Sequence, residues 1–104
     1  MSESDLLANI LLTFGSRPGL RIWRSNVLVA RDQSGRVVRA GVKGQADISG
    51  ILAPSGRRIE IECKTAAGRQ SPEQRRWQAM IEKYGGIYVL ARSVDDVERA
   101  LSAT

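Results

Sequence analysis

The chain of 104 residues contains no histidine and one cysteine. Zinc sites built from cysteine and histidine are therefore excluded. Serine–histidine and cysteine–histidine catalysis are excluded as well, because the base is missing. A bound metal would have to be held through oxygen, which points to magnesium or manganese. A lone cysteine forms no internal disulfide, and Cys63 falls on the apolar side of an alternating stretch, so it is expected in the core of a cytoplasmic protein. No apolar run approaches the roughly 20 residues of a membrane helix. The acidic start Met1-Ser2-Glu3-Ser4-Asp5 does not read as a secretory signal. The length fits one domain, residues 1–104, with one modest core.

What is abundant is arginine. Thirteen of the sixteen basic residues are arginine, and the formal net charge is +5. Between Arg17 and Lys43 lie Arg21, Arg24, Arg31, Arg36 and Arg39, against Asp32 alone. Such a block favours a polyanionic partner, since arginine grips phosphate bidentately and each contact releases counterions. The bland alternative is a solvated basic hairpin that aids solubility. Arg17, Arg21, Arg24, Arg36, Arg39, Lys43 and Arg69 are the candidate nucleic-acid contacts.

Leu6, Leu7, Ile10, Leu11 and Phe14 recur at helical spacing, with Ser2 or Ser4 as cap and Gly15 as stop. Glu3 lies one turn before this stripe. It either favours the helix N-terminus electrostatically or reaches into a site. Leu20–Ala30 reads as one strand, and Arg36–Ala40 returns after the Asp32-Gln33-Ser34-Gly35 turn. Ala46–Leu52 and Arg58–Lys64 form a second hairpin about Pro54-Ser55-Gly56, so four strands in a meander are expected. Ser71-Pro72-Glu73-Gln74 is a strong helix start, with Gln74 closing a capping box. Trp77, Met80, Ile81 and Tyr84 make the buried stripe of that helix, and Gly85-Gly86 ends it. Ile87–Ala91 reads as a central strand parallel to Arg58–Lys64, and Ser93 caps a last helix holding Val94, Val97 and Leu101. Trp23 and Trp77 are expected in the core in preference to the alternative of base-stacking platforms.

The chemistry concentrates in Arg58–Lys64. Ile59, Ile61 and Cys63 alternate as in a half-buried strand, leaving Glu60, Glu62 and Lys64 on the other face. Three charges in a row are costly unless that face meets water, a metal or a substrate. Asp47, in the neighbouring strand, comes within reach of Glu62 if the hairpin pairs directly. Magnesium would bridge two such carboxylates, with the Cys63 backbone carbonyl as a further ligand. Lys64, on the Glu62 face, would orient or deprotonate a water attacking a phosphodiester. Glu60 is assigned a structural role, paired with Arg58 or another arginine. The competing reading turns Asp47, Glu62 and Lys64 into ordinary ion pairs within an interaction domain.

Gly44-Gln45-Ala46-Asp47, Ile61-Glu62-Cys63-Lys64-Thr65, Gln74 with Trp77, and Gly85-Gly86 before Val89-Leu90-Ala91-Arg92-Ser93 together resemble the VRR-NUC nucleases. These are virus-type replication-repair nucleases of the PD-(D/E)XK superfamily. The resemblance spans nearly the whole chain, including Glu3 and Trp23-Arg24-Ser25-Asn26. It implies a restriction-endonuclease-like α/β fold: a mixed central sheet flanked by helices in the order α-β-β-β-β-α-β-α. It also implies a magnesium- or manganese-dependent, structure-specific DNA endonuclease, similar to Holliday-junction resolvases and acting as a homodimer in phage or bacterial settings. On that resemblance Asp47 and Glu62 bind metal, Lys64 is catalytic, and Gln74 and Glu3 support the site. One departure stands out: Ala46 occupies a position where the family commonly has proline. A non-catalytic nucleic-acid-binding module with the same fold is the alternative.

Overall fold

The computed structural model describes residues 1–25 and 28–104, and only the backbone of Leu28, Val29, Arg39 and Ala40. Its elements are α1 (Glu3–Phe14), β1 (Leu20–Arg24), β2 (Leu28–Arg31), β3 (Val37–Ala40), β4 (Ile48–Leu52), β5 (Arg57–Cys63), α2 (Pro72–Lys83), β6 (Ile87–Ala91) and α3 (Val94–Ser102). The fold is α/β, with a mixed four-stranded sheet in the order β1-β4-β5-β6 and three helices. β1, β4 and β5 are antiparallel neighbours, and β6 runs parallel to β5 after the α2 crossover.

Each helix opens with a reciprocal capping box, from Ser2 with Asp5, Ser71 with Gln74 and Ser93 with Asp96. Each box satisfies two backbone donors that a helix N-terminus otherwise leaves without partners. Ser2, not Ser4, is the first cap. Pro72 begins α2, where its missing N–H costs nothing.

One face of the sheet carries Ile22, Ile48, Ile59, Ile61, Cys63, Val89 and Ala91, which pack with Leu6, Ile10 and Phe14 of α1 and Val97 of α3. Complete burial of one such isoleucine or phenylalanine is worth about 1.5–3 kcal/mol, so this face supplies the core. Gly50 sits in the middle of it: a Cβ there would lie 2.7 Å from Ile22 Cγ2 and 2.8 Å from Ile59 Cγ2. Any side chain at that position would displace both isoleucines.

Three expectations fail here. The predicted strand Leu20–Ala30 is two strands, with β1 ending at Arg24 and β2 beginning at Leu28; Asn26 and Val27 lie outside the described residues. The four-strand meander is replaced by a direct β1–β4 pairing, with β2 and β3 forming a separate two-stranded sheet. Five strands therefore precede α2 instead of four. The local signal of the break is the polar run Arg24-Ser25-Asn26, which a one-strand reading passes over. β1 is fixed by burial of Leu20 and Ile22 in the core, a tertiary event. Finally, the charged face of β5 is not open to solvent: Glu60 and Glu62 are 0% and 2% accessible, and Trp77 of α2 reaches across to Glu60.

Candidate active site

β4 begins at Ile48, one residue later than Asp47 and two later than the expected start at Ala46. Its register pairs Ile48 with Ile61, and one further step sets Asp47 across from Glu62. Asp47 has left the ladder, and its side chain replaces it: the Cys63 N–H donates to Asp47 Oδ2 at 2.8 Å. The Ser25 N–H donates to the Asp47 carbonyl, also at 2.8 Å, which ties β1 to the same point. The carboxylate is thus held by the backbone it faces.

Glu62 is 2% accessible, and among the described residues its Oε1 is the one buried side-chain oxygen without a hydrogen-bond partner. An unsatisfied buried oxygen ordinarily costs about 1–3 kcal/mol, and more if charged. Burial, and then the adjoining Asp47 carboxylate, push the Glu62 carboxyl up from an ordinary 4.5 to about 9; Lys64 opposes this and Glu3 adds to it. The Cys63 thiol, fully buried, is driven up to about 12 by burial first and then by Asp47, Glu62 and Glu3. That makes it an inert core thiol. At Cys63 the observed contact with Asp47 is through the N–H, not the carbonyl proposed as a ligand.

Glu60 shares the strand face of Glu62 and is buried more completely, yet its environment is the opposite. Arg58 Nε donates to Glu60 Oε2 at 2.9 Å, and Trp77 Nε1 donates to Oε1 at 2.8 Å. Both acids are buried, but only Glu60 is provided with donors. A carboxylate paired in this way is structural, whereas one left unpaired beside a second carboxylate has room for a cation.

Of the other candidates, Glu3 and Arg24 come together with Asp47, lining with Ser4 and Leu7 a depression of about 140 Å³. Glu3 is exposed on the first turn of α1, at the open end of the stripe of Leu6, Leu7 and Ile10, and its charge reaches Glu62. Lys64 is half-buried, with its N–H bonded to the Ala91 carbonyl at 3.0 Å. Gln74 has its Oε1 engaged by the Ser71 N–H at 2.9 Å, so the contact observed is the cap. Arg17 is paired with Glu98 at 2.6 Å, beyond the far end of β1 from Arg24. Arg36 faces Asp32 at 3.6 Å on the β2–β3 turn, and Lys43 faces Glu73 at 3.5 Å. Arg21 is exposed on β1 and Arg69 on the loop before α2. The Arg39 side chain lies outside the described residues.

Sequence reasoning missed two features around the site. Gln70 Nε2 donates to Gln78 Oε1 at 2.9 Å and to the Tyr88 hydroxyl at 3.3 Å, forming a polar cluster on the Glu60 face. Burial above all raises the Tyr88 hydroxyl to about 12, with Glu62, Asp47 and Glu60 adding and Gln70 opposing. Arg92 Nη1 donates to the carbonyls of Thr65, Ala66 and Gly68 at 2.5, 3.3 and 2.8 Å, strapping down the loop that follows Lys64. Neither had a local signal, because Ile87–Ala91 reads as plainly apolar and Thr65–Gly68 as a small loop.

No protein-family model matches the chain, and no curated protein matches it. Among the described residues, no three His, Cys, Asp or Glu side chains cluster as a metal-binding group by themselves. The donor set nevertheless fits magnesium or manganese. Magnesium keeps several waters and takes one or two protein carboxylates. Asp47 with Glu62 supplies two, and the unpartnered Glu62 Oε1 is the oxygen such an ion would satisfy. No helix among the described residues is long and apolar enough to cross a membrane.

Proposed function

We propose that this protein is a magnesium- or manganese-dependent DNA endonuclease of VRR-NUC type, with a restriction-endonuclease-like architecture, acting as a homodimer on branched or junction DNA. The observation that supports this most is the contrast within one strand face. Glu60 is satisfied by Arg58 and Trp77, while Glu62 Oε1 is buried without a donor next to Asp47. Folding has tolerated that cost at one carboxylate and avoided it at its neighbour.

Asp47 and Glu62 would hold the cation, whose chemistry is to polarise a phosphoryl oxygen and make bound water a nucleophile near neutral pH. The Cys63 N–H fixes the Asp47 carboxylate, so its free oxygen is aimed before any ligand arrives. Lys64 lies just past the end of β5 with its charge acting on Glu62, and its ammonium would steady an attacking water or the charge building on phosphate. Arg24, which lines the depression with Asp47, would take a phosphate oxygen of the scissile strand. Glu3 completes the acidic rim.

The test is incubation of purified protein with four-way, flap and linear DNA, with magnesium, with manganese, and with chelator. Metal-dependent cleavage by wild type, lost in Asp47→Ala while binding persists, supports the proposal. Folded wild type that binds DNA and cleaves none of these substrates sinks it and leaves the non-catalytic binding module.

A further inference from the structure

The expectation that Trp23 belongs to the core fails: it is 43% exposed, and Ile51 beside it is 44% exposed. The register explains where this surface lies. Trp23 is opposite Ser49 and Ser49 is opposite Glu60, while Arg21 is opposite Ile51 and Ile51 is opposite Arg58. Residues directly opposite in antiparallel strands share a face. Trp23 and Arg21 therefore stand on the face of the sheet that carries Glu60 and Glu62, on its edge strand β1. α2 lies over β6 and reaches Glu60 through Trp77, at the other side of that face.

The patch is built, not incidental. The Arg58 guanidinium sits 5.9 Å from the centroid of the Trp23 ring. It is anchored there by fully buried Glu60, which is held in turn by Trp77. This fixes an exposed indole one strand repeat from the row that carries Arg21 and Arg58, on the side nearer Glu62. Two strand spacings of about 4.8 Å and one strand repeat of about 6.6 Å separate Trp23 from Glu62, within a few nucleotides' reach. A second protein surface would meet two exposed cations, Arg21 and Arg58, on this patch, whereas a phosphate backbone is complementary to them.

We infer that Trp23 is a stacking platform for an unpaired nucleobase, with Arg21 and Arg58 taking the flanking phosphates. The substrate thereby acquires a stated chemistry: nucleic acid with a single-stranded stretch beside the cleavage point, as at a flap, fork or opened junction. The inference rests on the nucleic-acid part of the function proposed above and not on the cleavage step.

Binding is measured in chelator, by anisotropy of labelled single-stranded DNA, for wild type, Trp23→Phe and Trp23→Ala. Base–aromatic stacking predicts a loss of roughly 10-fold or more in affinity for Trp23→Ala. Trp23→Phe should retain most of the affinity. The same series with an oligonucleotide carrying abasic sites at every position keeps charge and length but removes the bases. There the Trp23→Ala loss should vanish, which a purely structural or electrostatic role would not produce. Tryptophan emission of the wild type should be quenched by single-stranded DNA more than by blunt duplex, and that difference should be absent in Trp23→Phe, where Trp77 alone remains. Equal affinities of wild type and Trp23→Ala overturn the inference, as does an equal loss on abasic DNA. A Trp23→Ala variant that changes only the oligomeric state overturns it in favour of a second copy of the chain. Binding that behaves as expected without any metal-dependent cleavage removes the nuclease reading alone; cleavage with Trp23-independent binding removes this inference alone.

Discussion

Replacing Glu62 with glutamine tests the site without requiring any substrate. The folded protein holds the Glu62 proton up to about pH 9, while in the unfolded chain the group ionises at its ordinary 4.5. A carboxyl raised in this direction contributes its full stability below 4.5 and loses it as pH rises towards 9, because the unfolded state gains the ionised form. The slope is at most about 1.4 kcal/mol per pH unit. Between 4.5 and an assay at about pH 8 that sets a ceiling of about 5 kcal/mol, cut to about 2 by water penetration and local relaxation. Glutamine keeps the shape, cannot ionise, and offers its amide to Asp47 where the acid offers its proton. In chelator at about pH 8, Glu62→Gln should therefore melt roughly 10 °C above wild type, with the gap closing towards about pH 5. Magnesium should raise the wild-type melting temperature, more at about pH 8 than at about pH 6, since binding must displace the proton. The variant should not respond. A variant melting no higher than wild type at the upper pH would mean that Glu62 is not the strained member of the site.

Three further outcomes follow from the same geometry. Lys64→Ala should lower single-turnover cleavage by about 100-fold or more with little change in DNA affinity, measured by separate cleavage and binding assays. Trp77→Phe removes one of the two donors to buried Glu60 and should cost about 1–3 kcal/mol in urea unfolding, whereas an unchanged midpoint would contradict that pairing. Arg92→Ala releases three carbonyls, so amide exchange and proteolytic nicking should rise at residues 65–68 while the core strands stay protected.

Much of the architecture was legible because it is encoded locally. Three capping boxes fix three helix starts, and the turn at Pro54-Ser55-Gly56 fixes the hairpin that carries Asp47 to Glu62. The apolar run Ile87–Ala91 after a helix implied the parallel strand that pairs with β5. The β1–β4 pairing was not legible, since it joins residues separated by the whole β2–β3 excursion and depends on which face is buried. For the same reason Trp23 was assigned to the core: hydrophobicity predicts burial on average, but an edge strand has one face that nothing need cover.

The sequence by itself determined the inventory. No histidine, one cysteine, Asp47 within the strand read at Ala46–Leu52, and a Glu62-x-Lys64 triplet limit a metal site to oxygen ligands and bring two acids and a lysine to one hairpin. What only the tertiary structure decided is how those charges differ. The place of Glu62 across from Asp47 already separates it from Glu60 in the sequence, but alternation fixes only the face a side chain takes and says nothing of what packs against it. The packing of α2 gives Glu60 an indole N–H and Arg58, and the end of β4 gives Glu62 a second carboxylate and no donor. Desolvation turns that difference into chemistry.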